Sequence, residues 1–447
     1  MALTLPAHPD PLDDELAASG LLHDLAHALG GPFHYVLPER FDTNLAAFRT
    51  ALDEASVEGK VYFAKKANKA AAFVERCART GAGVDVASHG ELREALGHGV
   101  RGEDLVVTGP AKSDRLLRVA ALQGALITLD SPDELDRALA LDVPGPVRTL
   151  LRRFPPSQPT SRFGMDDGQL EEALERCAAA GERVRMEGFS FHLSGYAVQP
   201  RADLAGELVE LCLKARTLGL RADRISIGGG FAVDYASAAS WRTFLAAQGP
   251  DDYHAQKAFN ADDFYPYHSP VAGADALRAV LAARPHGTGA PLAERLREAG
   301  VMLLLEPGRA LLAGAGSSVF TVQGVKDRAA YGIVTVDGTS LSLSEQWFDS
   351  EYLPEPRLLG ERPEPTAGEY RACVGGASCL DSDLLTWRKI AFPRRPRAGD
   401  LLVYPNTAGY QMDSNESPFH DLPLPMKVVI HRQGGRLRWH LDRRPAS

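Results

Sequence analysis

At 447 residues the chain is too long for one small hydrophobic core, so we expect two domains. An apolar fraction of 45% and a charged fraction of 24% are ordinary for a soluble globular protein. The net charge of -9 gives no sign of a basic face, which argues against nucleic acid as the main partner. The five cysteines lack metal-site spacing, and neither a secretory signal nor a membrane span is visible, so the sequence predicts a cytoplasmic protein without a bound metal or membrane partner.

Short apolar runs alternate with helix-like segments through most of the chain. Eight runs are visible, at residues 61–67, 83–88, 104–109, 125–130, 149–154, 185–193, 224–231 and 301–307. Strands that are each followed by a helix predict an α/β fold with a parallel (β/α)8 barrel. A doubly wound open sheet is the competing interpretation of the same alternation.

One connection between the runs is unusually long. Residues 236–295 exceed a single helix and contain aromatic and acidic stretches such as DDFYPYHSP. An insertion at this position would lie beside the barrel mouth, as a substrate lid or as decoration.

After about residue 316 the alternation of strands with helices gives way to a series of strand-like runs. Runs such as SSVFTVQGV, TSLSLSE and EYRACVG indicate strands, and MKVVIHRQGGRLRWHL indicates a hairpin around Gly434 and Gly435. We therefore predict a barrel at residues 40–316 and a β domain at residues 317–447, which also takes an N-terminal strand from about residues 20–39.

The ends of six runs carry polar or glycine residues. In a barrel of this kind the active site lies at the C-terminal ends of the strands, so these side chains are expected to converge. They are Lys66, Asp85, Arg152, His192, the triplet Gly228, Gly229 and Gly230, and Glu306 followed by Arg309.

Strand parity separates two adjacent lysines. Val61, Phe63 and Lys65 share one face of the first run, and Tyr62, Ala64 and Lys66 share the other. The bulky Val/Phe face suits the layer between strands and helices, so Lys66 is expected to point into the barrel. Burial among apolar walls would lower the pKa of Lys66 and make its amine a nucleophile able to form a Schiff base.

The other strand ends suggest what this amine binds. Three consecutive glycines let backbone N–H groups approach a phosphate closely, and Arg309 supplies a charged donor. A lysine, a phosphate site and the carboxylate of Glu306 together suggest pyridoxal 5'-phosphate (PLP), with Glu306 at the ring nitrogen.

With these motifs in order, the chain resembles the fold-type III PLP-dependent decarboxylases, which include diaminopimelate, ornithine and arginine decarboxylases. The resemblance covers nearly the whole chain and rests on AKKAN, GVDVASHGEL, SRFGM, FSFHLSG, ISIGGGF, LLEPGRALLAGAG, ASCLDSD and GDLLVYPNTAGY. It implies an amino-acid substrate, PLP as cofactor, and the barrel and β domain predicted above.

The resemblance also implies roles for residues near the cofactor ring. Lys66 matches the Schiff-base lysine, His192 the residue stacked on the ring, and Glu306 the partner of the ring nitrogen. Arg152 matches the arginine near the phenolic oxygen, and Asp85 is placed with this cofactor-binding set.

A second implied set binds the cofactor's phosphate and its surroundings. It consists of Gly228 to Gly230, Gly308, Arg309 and Tyr410, with Ser194 as a further candidate. After His192 the family's usual glycine-then-serine order is reversed as Ser194 and Gly195, so contacts there are expected to be rearranged.

Cys379 matches a cysteine that these decarboxylases deliver across a dimer interface, where it helps to protonate the product. We therefore predict a head-to-tail homodimer with two shared active sites.

The substrate is less well indicated. The family usually has an acidic residue directly after the cysteine, where it contacts the distal end of a diamino acid, but this position is Leu380. Asp381, Asp383, Glu345 and Gln346 are candidates to face the substrate instead. The stretches NTAGYQMDSNESPFHDLPLP and SEQWFDSEYLP look closer to a branch acting in siderophore and other specialised biosynthesis, whose members decarboxylate conjugated amino acids.

Two other functions are compatible with much of this pattern. An amino-acid racemase would use the same cofactor attachment but remove a proton, and racemases of this fold use a tyrosine as the second acid/base. A non-catalytic PLP carrier or regulatory homologue would lack the C-terminal β domain or cofactor residues. Cys379 favours decarboxylation over racemisation.

Overall fold

A computed structural model of the protein describes residues 3–343, 352–360 and 368–442. Its centre is a closed barrel of eight parallel strands, paired in chain order, with the last strand beside the first. These strands are β2 (Gly59–Ala64), β3 (Gly83–Val86), β4 (Leu105–Val107), β5 (Leu126–Leu129), β6 (Val147–Arg152), β7 (Val184–Ser190), β8 (Arg224–Ser226) and β9 (Met302–Leu305). Each lies within one of the predicted runs or overlaps it, so the predicted barrel is confirmed and the open sheet is excluded.

Most of the helices lie on the outside of the barrel, and the first two pack against a separate β sheet. Among the described residues they are α1 (Pro11–Ala18), α2 (Leu21–Leu29), α3 (Pro38–Glu54), α4 (Ala71–Thr80), α5 (His89–Gly97), α6 (Asp114–Leu122), α7 (Pro132–Leu139), α8 (Asp167–Ala180), α9 (Val198–Thr217), α10 (Ala238–Ala247), α11 (Gly273–Ala282) and α12 (Leu292–Ala299). Helix starts follow local chemistry: the Ser88 hydroxyl accepts from the Glu91 N–H, and the Ser131 hydroxyl accepts from the Glu134 N–H. None of these helices is apolar over a length that would cross a bilayer.

Strand parity divides the barrel's apolar residues into two clusters. Tyr62 packs inside the barrel with Val106, Leu126, Leu150 and Leu304. Val61 and Phe63 belong to the much larger cluster between the strands and the helices. The predicted alternation along β2 is therefore correct up to the end of the strand at Ala64, directly before the two lysines.

The remaining strands form a separate mixed sheet. They are β1 (Phe33–Val36), β10 (Gly316–Asp327), β11 (Gly332–Val336), β12 (Arg357–Leu359), β13 (Tyr370–Gly375), β14 (Leu384–Phe392), β15 (Leu401–Tyr404), β16 (Met426–Gln433) and β17 (Arg436–Leu441). The N-terminal strand β1 lies between β10 and β16, as its sequence suggested. The hairpin of β16 and β17 turns at Gly434 and Gly435, whose φ angles are 58° and 76°.

Three details of this sheet differ from the sequence prediction. Strands β12 and β14 were not predicted. In β14 the charged residues of LLTWRKIAF conceal an alternating buried face on which Arg388 is fully buried. The predicted strand TSLSLSE is wrong where it is described, since residues Ser340–Ser342 form a single 3₁₀ turn.

The long connection after β8 has two parts. Residues up to about 272, including α10, pack their aromatic side chains against the β sheet in one cluster with Tyr352 and Tyr404. A backbone bridge between Tyr253 and Arg388 adds to this contact. Helices α11 and α12 return to the barrel, where they contact α9. The insertion thus joins the barrel to the β domain.

Candidate active site

Lys65 and Lys66 begin a short 3₁₀ turn at the end of β2 and point in different directions. Lys65 is 1% exposed, and its Nζ lies 2.6 Å from a carboxylate oxygen of Glu94. Lys66 lies in the barrel mouth with 47% of its side chain exposed, and its Nζ is 3.6 Å from Oδ2 of Asp85. The structure therefore places Lys66 as the lysine of the site, as parity predicted.

The pKa of Lys66 was predicted with the wrong sign. Although the side chain is partly exposed, the surrounding protein in the mouth displaces water from the ammonium and lowers this pKa, but the charges of Asp85, Tyr410 and Glu306 together outweigh that effect and the nearby Arg152, so the pKa lies above its usual value. Lys66 is consequently a cation in the ligand-free site, and it must lose a proton before it can act as a nucleophile.

Glu306 follows β9 and faces the same mouth. The Ser226 hydroxyl donates to Oε1 of Glu306 at 2.6 Å, and the Glu306 N–H donates to the carbonyl of Gly228 at 2.9 Å. Burial and repulsion by Asp85 raise the pKa of Glu306 to about 7, against the opposing effects of Ser226, Lys66 and Arg152. This carboxyl group is poised to hold or share a proton at neutral pH.

His192 lies just beyond the end of β7. Its ring meets Phe163 edge-on at 6.2 Å between centroids, and its Nδ1 lies beside Gly228. Burial and the cations Lys66, Arg152 and Arg201 lower the pKa of His192 to about 3. The imidazole is therefore neutral at physiological pH and suited to stack on an aromatic ring.

The glycine triplet after β8 has no room for side chains. A Cβ on Gly229 would lie 2.7 Å from the carbonyl oxygen of Glu306, and one on Gly230 would overlap the guanidinium of Arg201. Gly228 and Gly230 have φ angles of 65° and 80°, which favour glycine. The loop brings its backbone to the mouth as a phosphate-binding loop requires, and Arg201 beside it was missed by sequence reasoning.

Arg309 and Tyr410 close the other side of this loop. The Arg309 guanidinium donates to the Tyr235 hydroxyl at 3.2 Å and to the Gly409 carbonyl at 3.0 Å, and its Cζ lies 4.8 Å from the Tyr410 ring centre. A Cβ on Gly308 would lie 3.1 Å from the Tyr410 hydroxyl. These phosphate-site candidates are therefore neighbours.

The insertion contributes directly to this arrangement. Tyr265, which it carries, lies under the Arg309 guanidinium at 4.4 Å from ring centre to Cζ. Tyr410 itself has a left-handed φ of 73°, and its N–H donates to the Ala67 carbonyl next to Lys66 at 2.8 Å. This backbone conformation costs on the order of 1–3 kcal/mol and ties the β domain to the lysine turn.

Arg152 ends β6 within the mouth and is paired. Its Nη1 donates to Asp130 at 2.8 Å, and its Cζ lies 5.0 Å from the centre of the Phe163 ring. Its charge lowers the pKa of both Glu306 and His192, which places it in the same electrostatic site.

The predicted substrate-facing residues occupy different environments. Cys379 is exposed in the loop between β13 and β14, where its N–H donates to Nε2 of His420 at 3.4 Å. Leu380 is 49% exposed. Asp383 is 6% exposed and accepts from the N–H groups of Ser340 and Ser378, so its carboxylate holds the loop and does not suit substrate contact.

Two further candidates need separate mention. Ser194 is exposed, and its N–H donates to the side-chain oxygen of Gln158 at 3.0 Å. Asp381 is exposed and close enough to His254 of the insertion to oppose the lowering of that histidine's pKa by burial. Glu345 and Gln346 lie outside the described residues.

Comparison with known proteins identifies the family. The profile described as "Pyridoxal-dependent decarboxylase, pyridoxal binding domain" matches residues 39–248. The uncharacterized protein y4yA of Sinorhizobium fredii is 40% identical over 92% of this chain and 90% of its own length. The diaminopimelate decarboxylase of Deinococcus radiodurans is 26% identical over 91% of this chain and 92% of its own. The chain belongs to the pyridoxal-dependent decarboxylase family.

Solved structures share the architecture of this decarboxylase-family protein. The diaminopimelate decarboxylase of M. jannaschii in complex with L-lysine covers 95% of this chain and 91% of its own, with a TM-score of 0.73 and 18% sequence identity. The Helicobacter pylori diaminopimelate decarboxylase covers 92% of this chain and 93% of its own, with a TM-score of 0.68. At these identities the likeness establishes the fold.

The residues at the mouth fit the family's PLP cofactor. Lys66 would supply the amine, Glu306 a carboxyl with a pKa near neutral, and His192 a neutral ring. The backbone of the crowded glycine loop and the nearby guanidinium of Arg309 are of the chemical kind that binds a phosphate.

Proposed function

We propose that the protein is a PLP-dependent decarboxylase that removes the α-carboxylate of a diamino acid or of a diamino-acid conjugate. The observation that carries the proposal is the electrostatic coupling of Lys66 with Asp85 and Glu306 at one barrel mouth, in a chain that also presents Cys379 on an exposed loop. When bound, PLP supplies an electron sink for bond cleavage at the α-carbon.

Each residue then has a defined task. Lys66, once it has lost its proton, would be the amine that holds the cofactor at its aldehyde carbon, with the aldehyde oxygen leaving as water. Glu306, held by Ser226, would keep a proton at the cofactor's ring nitrogen, and neutral His192 would offer a ring that does not compete for that proton. Arg309 and the backbone of Gly228 to Gly230 would hold the phosphate and so orient the cofactor relative to Lys66.

Cys379 is proposed to act in the partner's site of a homodimer. Its loop is exposed, and so are the neighbouring apolar side chains of Leu380 and Phe419, at 49% and 40%. In such a dimer the thiol of Cys379 donates a proton to the α-carbon that has lost CO2. The two reactions differ in what leaves the α-carbon before this protonation, which is CO2 in a decarboxylase and a proton in a racemase.

The position of Leu380 bears on the substrate. An apolar side chain cannot pair with a distal ammonium group, so a free diamino acid would lose that contact here. A conjugate, in which the distal nitrogen is already joined to another acid such as citrate, would not need it. Asp381 and His254 are then candidates to contact the far end of the substrate.

A substrate screen tests the reaction. Purified holoenzyme is incubated with diaminopimelate, lysine, ornithine and arginine and with citrate-conjugated diamino acids, while CO2 release and loss of chirality are both measured. We expect CO2 release, fastest with a conjugate. Loss of chirality without CO2 would replace the proposal with a racemase, and absence of both reactions would leave a PLP-binding protein.

A matched pair of variants tests the substrate assignment. Leu380→Asp is expected to raise the relative kcat/KM for substrates with a free distal ammonium by about tenfold, because it adds a charged partner. Leu380→Asn has a similar shape but no charge, and it should change this preference little. If both variants shift the preference equally, Leu380 does not face the distal end of the substrate.

A further inference from the structure

Arg201 occupies an unusual place for a charged side chain. It lies in the first turns of α9 and is 2% exposed. Its guanidinium sits between two loops at the barrel mouth, the one after β7 at Gly195 and the one after β8 at Gly230. Arg201 also contributes to lowering the pKa of His192, so its charge reaches the site.

The guanidinium of Arg201 is poorly satisfied by the protein itself. Within the described part of the chain, Nη1 and Nη2 make only long hydrogen bonds, of 3.4 and 3.5 Å, to the carbonyls of Ala197 and Gly195, and Nε has no hydrogen-bond partner there. Across residues 3–343, 352–360 and 368–442, no carboxylate forms an ion pair with it. Burial lowers its pKa to about 10, so it remains a cation at neutral pH.

A structural role accounts for little of this arrangement. The Phe231 ring lies 5.8 Å from Cζ of Arg201, and an apolar side chain would fill the same space without the cost of burying a charge. Buried charges are retained where they are paired, and here the missing partner must be an anion that reaches the two loops. In (β/α)8 barrels, loops near the end of the barrel sequence frequently bind a phosphate.

We propose that Arg201 is a further binding residue for the phosphate of PLP in this chain, with its guanidinium as a counter-ion behind Gly230. Ser194, the serine expected to contact the phosphate, is exposed, and its backbone is held by Gln158. Arg201 thus compensates for the reversed order of Ser194 and Gly195. The proposal requires that PLP is the cofactor, but it does not depend on which substrate the protein uses.

The test compares PLP with pyridoxal, which lacks the phosphate. Apoenzyme of the wild type and of Arg201→Met and Arg201→Lys is titrated with each compound, and bound cofactor is followed by its absorbance and by equilibrium dialysis. Arg201→Met is expected to weaken PLP binding by about 10- to 100-fold, as for loss of a charge-assisted hydrogen bond, and to leave pyridoxal binding unchanged. Arg201→Lys, which keeps the charge, should lose less.

The control is Arg216→Met on the same helix. Arg216 donates to the carbonyls of Ala222, Ala299 and Gly300, away from the glycine loop. This variant should lower the melting temperature and leave the ratio of the two dissociation constants unchanged. Equal weakening of PLP and pyridoxal by Arg201→Met, or no weakening, would overturn the proposal. If that variant does not fold, Arg201→Lys decides by the same ratio. Because binding is measured without substrate, failure of the decarboxylase assay does not affect this test.

Discussion

The Nζ of Lys66 lies 3.6 Å from Oδ2 of Asp85, and the other oxygen of Asp85 accepts the hydroxyl proton of Thr108 at 2.7 Å. Asp85 is 2% exposed, so this carboxylate has few alternatives to the lysine and the threonine. The pair sets the protonation state of the amine before any cofactor arrives, because an adjacent anion favours the charged form of lysine.

The first prediction separates the two lysines of AKKAN. Lys66→Ala should abolish covalent retention of PLP after dialysis and reduce decarboxylation to background, because the neighbouring Lys65 is buried against Glu94 and cannot replace it. Lys65→Met should retain PLP but lower the free energy of unfolding by about 1–3 kcal/mol, because Glu94 loses its partner. Absorbance after dialysis and denaturant titration measure the two effects. Retention of PLP by Lys66→Ala with loss in Lys65→Met would reverse the assignment.

The second prediction concerns pH. Asp85 is the largest of the influences that raise the pKa of Lys66, so Asp85→Asn should lower that pKa. The rate at which apoenzyme captures PLP should then reach its half-maximal value at lower pH than in the wild type, since the neutral amine is available sooner. Stopped-flow absorbance over a pH series measures this midpoint. Asp381→Asn, which changes an exposed loop residue, serves as the control. An unchanged or higher midpoint in Asp85→Asn would contradict the role of the pair.

Much of the site could be predicted because strand ends converge by geometry alone. The period-two alternation of β2 placed Val61 and Phe63 outside the barrel and Tyr62 inside it, and Lys66 followed. The direction in which the pKa of Lys66 is shifted could not be predicted in this way. It depends on the sum of several charges from different strands, and a distance of a few ångströms decides which effect wins.

Arg201 and Asp383 show where sequence patterns are insufficient. Arg201 lies in the first turn of α9, where nothing in the sequence marks it as buried, and only the close approach of Gly230 reveals that its guanidinium is buried beside the glycine loop. Asp383 belongs to a motif that suggested substrate binding, yet its carboxylate accepts hydrogen bonds from two backbone N–H groups of its own domain. The burial of Arg201 and the hydrogen bonds of Asp383 depend on contacts between separate segments of the chain or on the conformation of a loop.

The third prediction tests shared active sites. Lys66→Ala and Cys379→Ala subunits are each expected to have little activity alone. If the two are mixed in equal amounts and allowed to exchange, half of the dimers should be mixed, each with one native site, and activity should recover to about a quarter of the wild-type value. The control is a sample that contains only Lys66→Ala subunits and is taken through the same exchange procedure. Absence of recovery, with subunit exchange verified by mass spectrometry, would show that each site is built from one chain.

The fourth prediction concerns stability and is independent of catalysis. His34, on β1, is 1% exposed, with Nδ1 2.9 Å from the Ser318 hydroxyl oxygen. Burial and the nearby Lys427 lower the pKa of His34 to about 3, against the opposing charge of Asp413. Below pH 6.5, His34 is therefore protonated in the unfolded chain but stays neutral in the folded protein. The contribution of His34 to the free energy of unfolding is fully present above pH 6.5. It declines as the pH falls towards 3, by at most about 1.4 kcal/mol per pH unit.

His34→Gln removes this titration and keeps a polar side chain beside Ser318. Denaturant titrations of the holoenzyme between pH 7 and pH 5.5 should show a shallower fall in unfolding free energy for His34→Gln than for the wild type, although the variant is less stable at pH 7. His27→Gln, at an exposed position on α2, is the matched control for replacing a histidine by glutamine. An unchanged slope in His34→Gln would mean that His34 already accepts its proton in the folded protein, through opening of the contact between β1 and β10.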